Sequence, residues 1–246
     1  MAIDEAIAEA VAETTSPATL RFYYWTRPTL SLGYFQSFAD AAVWDPEHVD
    51  VVRRSTGGGA IMHHHELTYS LTLPSSDNDL GARQSAYRGL HDCIRETLAA
   101  VGVKTTPFRE TVGAVAGRTD AAKTQSKGLA GKRNEPFLCF QRRTDEDLIC
   151  GGYKILGSAQ RRVRGGILQH GSLLLRTSTH ADPLPGILEL TDTRLDPAEI
   201  ASEMVARIGR SMSIDFRPGE LSGNEHCASE LIANQRYASE TWTHRR

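Results

Sequence analysis

Two segments in the second half of the chain, 148–159 and 167–175, constrain the fold more than any other feature of the sequence. The first carries a pair of glycines within an apolar run and predicts a β-hairpin with a tight glycine turn. The second predicts a buried strand directly after it. A hairpin followed at once by another strand does not fit a doubly wound parallel sheet, in which each strand leads into a crossover helix.

The rest of the chain intersperses helical and strand-like patterns. On the segment 82–101, apolar residues recur at helical spacing, and one face carries Leu90, Ile94, Leu98 and Val101. Further helices are predicted at 1–14, 197–211 and 228–239, and further strands at 20–25, 29–34, 49–54 and around Leu67, Tyr69 and Leu71. Interspersed helices and hairpins predict an α+β fold.

The composition excludes several classes of protein. Charged residues make up 24% of the chain and hydrophobic residues 40%, which excludes wholesale disorder. A net charge of -2 disfavours a general nucleic-acid binder, since such proteins are usually basic. No apolar run approaches the roughly 18 residues of a membrane span, and the acidic first residues do not resemble a signal peptide. We therefore expect a cytoplasmic protein without nucleic-acid or membrane partners.

The four cysteines form no CxxC pair, and their spacing favours neither a zinc site nor a disulfide framework. They are Cys93, Cys139, Cys150 and Cys227. Each taken alone is interpreted as a buried small hydrophobe. A nucleophilic cysteine needs a positive neighbourhood. For Cys139, the acid-free stretch 151–166 would supply one if it folds close by, through Lys154, Arg161, Arg162 and Arg164.

The segment 113–135 contains almost no large apolar residue and more basic than acidic residues. Loops of this length within compact domains are commonly functional or disordered. We predict a mobile basic loop here, which becomes ordered when a ligand binds.

The segment 53–60 reads Arg-Arg-Ser-Thr-Gly-Gly-Gly-Ala. Its three glycines, Gly57, Gly58 and Gly59, allow backbone N–H groups to approach an anion closely, and Arg53 and Arg54 carry charge to neutralise it. The motif matches neither a Walker A motif nor the dinucleotide-binding GxGxxG. A plain flexible turn is the alternative interpretation.

Three histidines, His63, His64 and His65, stand directly before Glu66. Consecutive strand residues point to opposite faces, so at most two of the three can face one ion. A metal site is therefore disfavoured, and His64 and His65 are interpreted as polar residues at a junction between loop and strand.

Lys154 lies on the predicted hairpin beside Ile155 and Leu156. There its ammonium can reach a carbonyl, phosphate or thioester oxygen, and burial would make it an effective electrostatic stabiliser. A solvent-facing strand lysine is the alternative interpretation.

Several of these motifs, in this order, resemble the lipoate branch of the biotin and lipoate protein ligase family. The similar segments are 1–6, 30–36, 53–63 with 66–70, Lys-Ile-Leu-Gly-Ser-Ala-Gln at 154–160, and Gln-His-Gly-Ser-Leu-Leu-Leu at 169–175. The resemblance covers about residues 1–176. It implies a single α+β catalytic domain over 1–246, with a mixed β-sheet platform and flanking helices and without an accessory C-terminal domain.

Members of this branch attach octanoyl or lipoyl groups to one lysine of lipoyl domains or of the glycine-cleavage H protein. Ligases use ATP and an acyl-adenylate, whereas octanoyltransferases and amidotransferases pass the acyl group through a cysteine thioester. In these transferases the cysteine stands shortly before the lysine motif, often as Cys-Phe, and here Cys139-Phe140 precedes Lys154 by 15 residues. The resemblance therefore implies an octanoyltransferase that uses acyl carrier protein as donor, with Cys139 and Lys154 as catalytic residues.

An ATP-dependent lipoate–protein ligase is the alternative, because two positions depart from the transferase pattern. Gly59 stands where many octanoyltransferases of this type have arginine, and His64 stands where the family has aspartate. ATP and Mg are expected only for a ligase, and otherwise no tightly bound cofactor and no metal are expected. A non-catalytic acyl-binding or nucleotide-binding module is disfavoured by the presence of both Cys139 and Lys154.

The resemblance also implies the substrate-binding residues and the partners. The residues are Gly33, Arg53, Arg54, Gly57, Gly58, Gly59, His63, Tyr69, Gly157, Ser158, Ala159, His170 and Gly171. Acyl carrier protein and lipoyl domains are acidic as families, so the basic loop 113–135 and the arginines at 161, 162 and 164 are expected to dock them. A monomer is expected.

Overall fold

A computed structural model describes residues 1–75, 80–115, 136–181 and 183–246. Most of the predicted basic loop at 113–135 therefore lies outside the described residues. Its first three residues do not form a loop, because they complete a helix that runs from Phe108 to Val115.

The described chain alternates helices and strands, as the sequence predicts. The helices are α1 (Ala2–Ala12), α2 (Leu80–Ala100), α3 (Phe108–Val115), α4 (Ile187–Thr191), α5 (Pro197–Met212), α6 (Gly223–Ile232) and α7 (Glu240–Thr243). The strands are β1 (Thr19–Tyr23), β2 (Thr29–Leu32), β3 (Asp50–Arg53), β4 (Ile61–His63), β5 (Glu66–Pro74), β6 (Thr106–Pro107), β7 (Leu148–Cys150), β8 (Tyr153–Val163) and β9 (Gly166–Leu174). One-turn helical segments lie at Phe38–Ala41, Cys139–Gln141 and Ala233–Tyr237.

Six strands form an antiparallel sheet in the order β1-β5-β9-β8-β7-β6. The predicted hairpin at 148–159 is formed by β7 and β8, and the predicted strand at 167–175 is β9, which forms a second hairpin with β8. A smaller sheet has the order β3-β2-β4, in which β2 is parallel to β3 and antiparallel to β4. The predicted α+β fold is confirmed, and among the strands of the described residues the parallel pair is β2 with β3.

The apolar face of α2 packs with α5 against the large sheet. Leu90, Ile94 and Leu98 are buried in this core. The expectation that Val101 shares this face is wrong: it lies just beyond the end of α2 and is 43% exposed. Burial of such side chains, at roughly 1.5–3 kcal/mol each, fixes the sheet that carries Lys154.

A second core lies between the small sheet and the segment around Cys139. Leu30, Leu32 and Ala60 are fully buried there, and Leu138 and Phe140 flank Cys139 in the same cluster. The two apolar neighbours of Cys139 are thus anchored, and this positions the cysteine beside the glycine-rich segment.

The predicted helix at 228–239 begins earlier than expected, and after Ile232 it continues directly into a π-helical turn at Ala233–Tyr237. Ser222 caps the helix through the Glu225 backbone N–H, and the Glu225 carboxylate accepts from the Ser222 backbone N–H. This capping box starts α6 at Gly223, because it satisfies N–H groups that a helix start leaves unpaired. None of the helices in the described ranges is long and apolar enough to cross a membrane.

Candidate active site

The cysteine segment lies directly against the glycine-rich segment. The Cys139 N–H donates to the Ala60 carbonyl at 2.7 Å, and the Ala60 N–H donates to the Phe137 carbonyl at 2.9 Å. Ala60 and Leu138 thereby form an isolated parallel bridge. Cys139 begins a single helical turn after this bridge and is partly exposed. Two motifs that lie about 80 residues apart in the sequence therefore form one wall.

Lys154 extends from the start of β8 to Cys139. Its Nζ lies 3.9 Å from the Cys139 Sγ and 3.5 Å from the Cys139 carbonyl oxygen. The same Nζ forms an ion pair with the Asp147 Oδ2 at 2.9 Å, and it lies 5.4 Å from the centre of the Phe140 ring. The alternative of a solvent-facing lysine is wrong, because Lys154 is only 5% exposed.

Gly157 makes the room that the Lys154 side chain occupies. A Cβ atom at position 157 would lie 2.7 Å from the Lys154 Nζ and would collide with its Cε. A larger residue at position 157 would therefore displace the Lys154 side chain, so this glycine sets the position of the ammonium.

The glycine segment is closely packed. A Cβ atom on Gly59 would lie 2.9 Å from both the Cys139 backbone nitrogen and the Phe137 carbonyl oxygen. A Cβ atom on Gly33 would collide with the Gly58 carbonyl, and Gly58 itself has a φ of +97°. Gly57 is freer, since its nearest neighbour is the Phe35 ring at 3.9 Å. The plain flexible turn is therefore a poor description of this segment.

The two arginines of the motif stabilise this region by hydrogen bonds to backbone carbonyls. Arg54 donates to the carbonyls of Ser31, Gly57 and Gly59, at 2.7, 3.3 and 2.8 Å. Burial lowers the pKa of the Arg54 guanidinium, and the nearby Cys139 offsets part of this shift. The predicted contact of Arg54 with a substrate stays a prediction.

Arg53 is fully buried and binds backbone carbonyls with all three guanidinium nitrogens. Its Nε and Nη2 donate to the Thr243 carbonyl at 3.0 and 2.8 Å, and its Nη1 donates to the Gly33 and Gln36 carbonyls at 3.1 and 2.7 Å. These bonds join the loop after β2 to the last helix of the chain. The predicted contact of Arg53 with a substrate also stays a prediction.

His63 belongs to a buried chain of polar groups. Its Nε2 lies 2.7 Å from the Ser31 Oγ, its Nδ1 bonds the Glu66 carboxylate, and its ring stacks on Trp25. Since the Ser31 Oγ also accepts from Arg54 at 2.7 Å, the chain leads from Glu66 to the arginine that supports the glycines.

His64 and His65 point elsewhere and stack on each other with ring centres 3.5 Å apart. They line a cavity of about 290 Å³ beside α4 and the start of β5. Within the described part of the chain, no cluster of three or more His, Cys, Asp or Glu side chains is arranged to hold a metal ion.

Ser158 and Tyr69 meet under the sheet, and Gly171 leaves the space for both. A Cβ atom on Gly171 would lie 2.5 Å from the Ser158 Oγ and 2.7 Å from the Tyr69 hydroxyl. The Ser158 Oγ also lies 2.7 Å from the His91 Nε2, and the His91 Nδ1 lies 2.6 Å from the Glu146 carbonyl. A carbonyl only accepts, so the Nδ1 carries the proton and Ser158 donates to the Nε2.

Burial keeps two histidines near this surface neutral. Burial lowers the pKa of His91 to about 4, and burial together with the nearby Arg54 lowers the pKa of His170 to about 4. His170 lies opposite Ala159 in the sheet and 3.4 Å from the Thr56 hydroxyl, beside the glycine segment. Of the predicted binding residues of β8 and β9, His170 thus lies beside the glycine motif, whereas Ser158 and Gly171 lie on the other face of the sheet, against Tyr69 and His91.

The remaining basic residues of 151–166 are directed away from the cysteine. Arg161 pairs with Glu5 on α1 at 2.6 Å and donates to the Ser55 hydroxyl. Arg162 and Arg164 line a cavity of about 230 Å³ beside α1. The expectation that this stretch surrounds Cys139 with positive charge therefore holds for Lys154 and is wrong for Arg161, since β8 continues away from the site after its first residues.

The other cysteines differ from Cys139 in burial. Cys93 and Cys150 are buried, and burial raises the pKa of both thiols. Cys227 is exposed on α6, so its interpretation as a buried hydrophobe is wrong.

Sequence reasoning missed Asp147 and His91. Asp147 offered a signal, because it is a charged residue placed directly before the apolar run of β7 and seven residues before Lys154. His91 offered none, because it lies on α2 and meets Ser158 only in the folded chain.

Comparison with known proteins decides the family. The model of the lipoyl protein ligase A/B catalytic domain matches residues 1–215. The chain belongs to this family. Among curated relatives, octanoyltransferase LipM of Moorella thermoacetica is 31% identical, with 100% of this chain and 93% of that protein aligned. Octanoyltransferase LipM of Halalkalibacterium halodurans is 30% identical, with 100% and 94% aligned.

Solved structures of the family confirm the fold. A lipoate-protein ligase A bound with ATP superimposes with a TM-score of 0.74 at 22% identity, over 99% of this chain and 92% of that chain. A bipartite lipoate protein ligase from Thermoplasma acidophilum, described with its E2 lipoyl domain, superimposes with a TM-score of 0.70 at 20% identity, over 99% and 89%.

Proposed function

We propose that this protein transfers an octanoyl group from a carrier thioester to a lysine of an acceptor protein, through a thioester on Cys139. The observation that carries the proposal is the 3.9 Å approach of the Lys154 ammonium to the Cys139 sulfur. An adenylate-forming ligase has no need of a cysteine beside its lysine, whereas a thioester route requires one.

The relatives support the same class of reaction. The predicted acyltransferase class is confirmed by the octanoyltransferases, which align over the whole of this chain at about 30% identity. Thioester catalysis divides one acyl transfer into two easier steps. In the first step the Cys139 thiolate attacks the donor carbonyl and the carrier thiol leaves. In the second step the acceptor amine attacks the new thioester and the Cys139 thiolate leaves.

The neighbourhood of the sulfur is suited to stabilise both steps. Each step passes through a tetrahedral intermediate with a negative oxygen. In our proposal the Lys154 ammonium donates to this oxygen, since its contacts to the Cys139 carbonyl and sulfur are long and therefore readily exchanged. The Cys139 turn and the Gly59 backbone form the wall against which the acyl carbonyl lies.

The acyl chain is proposed to lie between the glycine segment and the small residues of β8 and β9. The residues that support this placement are Ala159 and His170, which lie opposite each other in the sheet, with His170 3.4 Å from the Thr56 hydroxyl beside the glycine segment. The six methylenes of an octanoyl chain buried there would contribute roughly 5 kcal/mol, at about 0.8 kcal/mol for each methylene.

We propose acyl carrier protein as the donor and a lipoyl domain or glycine-cleavage H protein as the acceptor, with no tightly bound cofactor. Four free cysteines suit a reducing compartment such as the cytoplasm. An ATP-dependent lipoate ligase is the second candidate, favoured by the shared fold of the ATP-bound ligase. In that case Cys139 would have no covalent role.

The deciding experiment measures the intact mass of the enzyme after brief exposure to octanoyl-acyl carrier protein. We expect a gain of one octanoyl group that neutral hydroxylamine removes, and no gain in Cys139→Ser, because a hydroxyl without an adjacent base is a far poorer nucleophile. The exposed Cys227→Ser variant is the matched control and should load normally. ATP-dependent lipoylation of an apo acceptor that survives Cys139→Ser would replace this proposal by the second candidate.

A further inference from the structure

The proposed thioester would form beside a second amine that belongs to the enzyme itself. The Lys154 Nζ lies 3.9 Å from the Cys139 Sγ, so an acyl carbon bonded to that sulfur would be close to a lysine side chain. The acceptor protein offers the same functional group to the same carbon. Proximity of this kind strongly accelerates a reaction, which makes Lys154 a direct competitor of the acceptor.

The competing reaction needs no further reagent. A neutral Lys154 amine would attack the thioester carbon, the carbon–sulfur bond would break, and one N–H proton would pass to the leaving sulfur. The products would be an octanoyl amide on Nζ and a free Cys139 thiol. Because an amide does not return its acyl group to a thiol, one such event would remove the cation from the site permanently.

Protonation of Lys154 blocks this reaction, because an ammonium has no lone pair with which to attack. The Asp147 Oδ2 lies 2.9 Å from the Nζ, and the side chains of lysine and aspartate are 3% and 1% exposed. The backbone N–H of Thr144 fixes the same carboxylate oxygen at 2.7 Å. A buried carboxylate at this distance favours the charged lysine, since a neutral lysine would leave the carboxylate uncompensated in the interior.

We infer, on the basis of the proposed function, that Asp147 is a positioning residue that protects the enzyme from self-acylation by holding Lys154 as an ammonium. The acyl group then leaves Cys139 only for a neutral amine that arrives from outside, on the acceptor. The same ion pair keeps the cation ready to donate to the tetrahedral oxygen, so one contact serves both purposes.

The test uses the full chain with octanoyl-acyl carrier protein and no acceptor, and follows the intact mass with and without neutral hydroxylamine. Hydroxylamine cleaves thioesters and leaves amides intact. The wild-type adduct should stay wholly removable. In Asp147→Asn, a resistant adduct should grow towards one octanoyl group per chain, map to Lys154 in peptide mass spectra, and parallel a progressive loss of transfer activity.

Three variants serve as controls. Asp147→Asn combined with Lys154→Arg should give no resistant adduct, because a guanidinium is not a nucleophile at neutral pH. Asp147→Asn combined with Cys139→Ser should also give none, because no thioester forms. Asp147→Glu retains the carboxylate and should stay removable, and Asp147→Ser replaces the asparagine variant if the latter does not fold.

The inference is overturned by a resistant adduct on the wild-type enzyme. It is equally overturned if the asparagine variant loads and stays fully removable, or if a folded variant does not load while the wild type does. A wild-type enzyme that never loads contradicts the proposed thioester and this inference with it. That outcome is distinct, because it shows no adduct of either kind.

Discussion

The glycine motif and the lysine motif each place a cation in the interior, and the two cations differ in how their N–H groups are bonded. Arg53 is fully buried, and all three guanidinium nitrogens donate to backbone carbonyls. Lys154 has one short ion pair, to Asp147, and two long contacts to Cys139. A buried cation whose nitrogens all bond backbone carbonyls stabilises the fold, whereas a buried cation with long contacts to a reactive atom is available for chemistry.

The largest effect on the rate of transfer is expected from the substitution of Lys154. Lys154→Ala should lower the rate of octanoyl transfer by about a thousandfold or more, in line with the loss of an oxyanion donor, while the sheet stays folded. Single-turnover transfer to an apo lipoyl domain measures the rate, and circular dichroism checks the fold. Wild-type turnover by this variant would mean that Lys154, like Arg53, has a structural role and no catalytic one.

Removal of the Arg53 side chain should instead lower the stability of the protein. Arg53→Ala removes a donor from the Gly33, Gln36 and Thr243 carbonyls, of which Gly33 keeps the Gln36 N–H, so the free energy of unfolding should fall by roughly 3 kcal/mol. Urea denaturation measures this change. Residual folded enzyme that retains the wild-type rate per active site would fit a scaffold role, whereas intact stability with lost transfer would show that Arg53 contacts the substrate.

Gly157→Ala tests the space around Lys154 without touching its charge. A Cβ atom at this position would lie 2.7 Å from the Nζ and would displace the ammonium. Displacements of about 1 Å commonly lower a rate by about a hundredfold, and we expect that loss here. Gly89→Ala is the control, because a Cβ on this α2 glycine meets no atom within 4 Å. Equal rates for the two variants would contradict the packing argument.

His91 shows a third way in which a buried titratable side chain is accommodated: it is neutral in the folded protein. Burial lowers its pKa from 6.5 to about 4, so the unfolded chain binds a proton at pH 5 that the folded chain does not. Stability should therefore fall as the pH drops from 6.5 towards 4, by about 2 kcal/mol at pH 5 for this group.

Denaturation at pH 8 and pH 5 measures this difference, and His91→Gln should reduce it. His226→Gln, at an exposed position of α6, should leave the difference unchanged. A pH difference that is the same in the His91 variant and the wild type would mean that His91 does not carry the proposed linkage. This is the smallest of the expected effects. It distinguishes His91, which is neutral when buried, from Arg53 and Lys154, which are charged and bonded to partners.

Local pattern is sufficient to predict the elements that carry the motifs. The β7–β8 hairpin, the strand β9, and the helices α1, α2 and α5 follow from periodicity and turn residues within each segment. The strand β4 escapes prediction because three residues are too few to show an alternation. The lipoate branch and the pairing of Cys139 with Lys154 follow from motif order, with which the family match and the 3.9 Å contact agree.

The sequence alone does not predict which groups each buried charged side chain binds. The adjacent Arg53 and Arg54 suggest an anion site, yet the partners that occupy them come from Ser31, Gly33 and Thr243, which no local pattern connects. Arg161 is expected near the cysteine but pairs with Glu5, because α1 packs under β8. Long-range partners determine whether a buried charge is free, and they are visible only in the folded chain.

The bonds between Arg53 and α7 have a consequence for the synthesis of the protein. The Thr243 carbonyl accepts from Arg53 across 190 residues of sequence, and the Trp242 indole donates to the Arg53 carbonyl at 3.0 Å across 189. A growing chain can complete both sheets on the ribosome long before these partners exist. The loop after β2 is joined to α7 through Arg53 only once residues 242 and 243 have emerged, so the nascent chain can form its sheets before this loop is anchored.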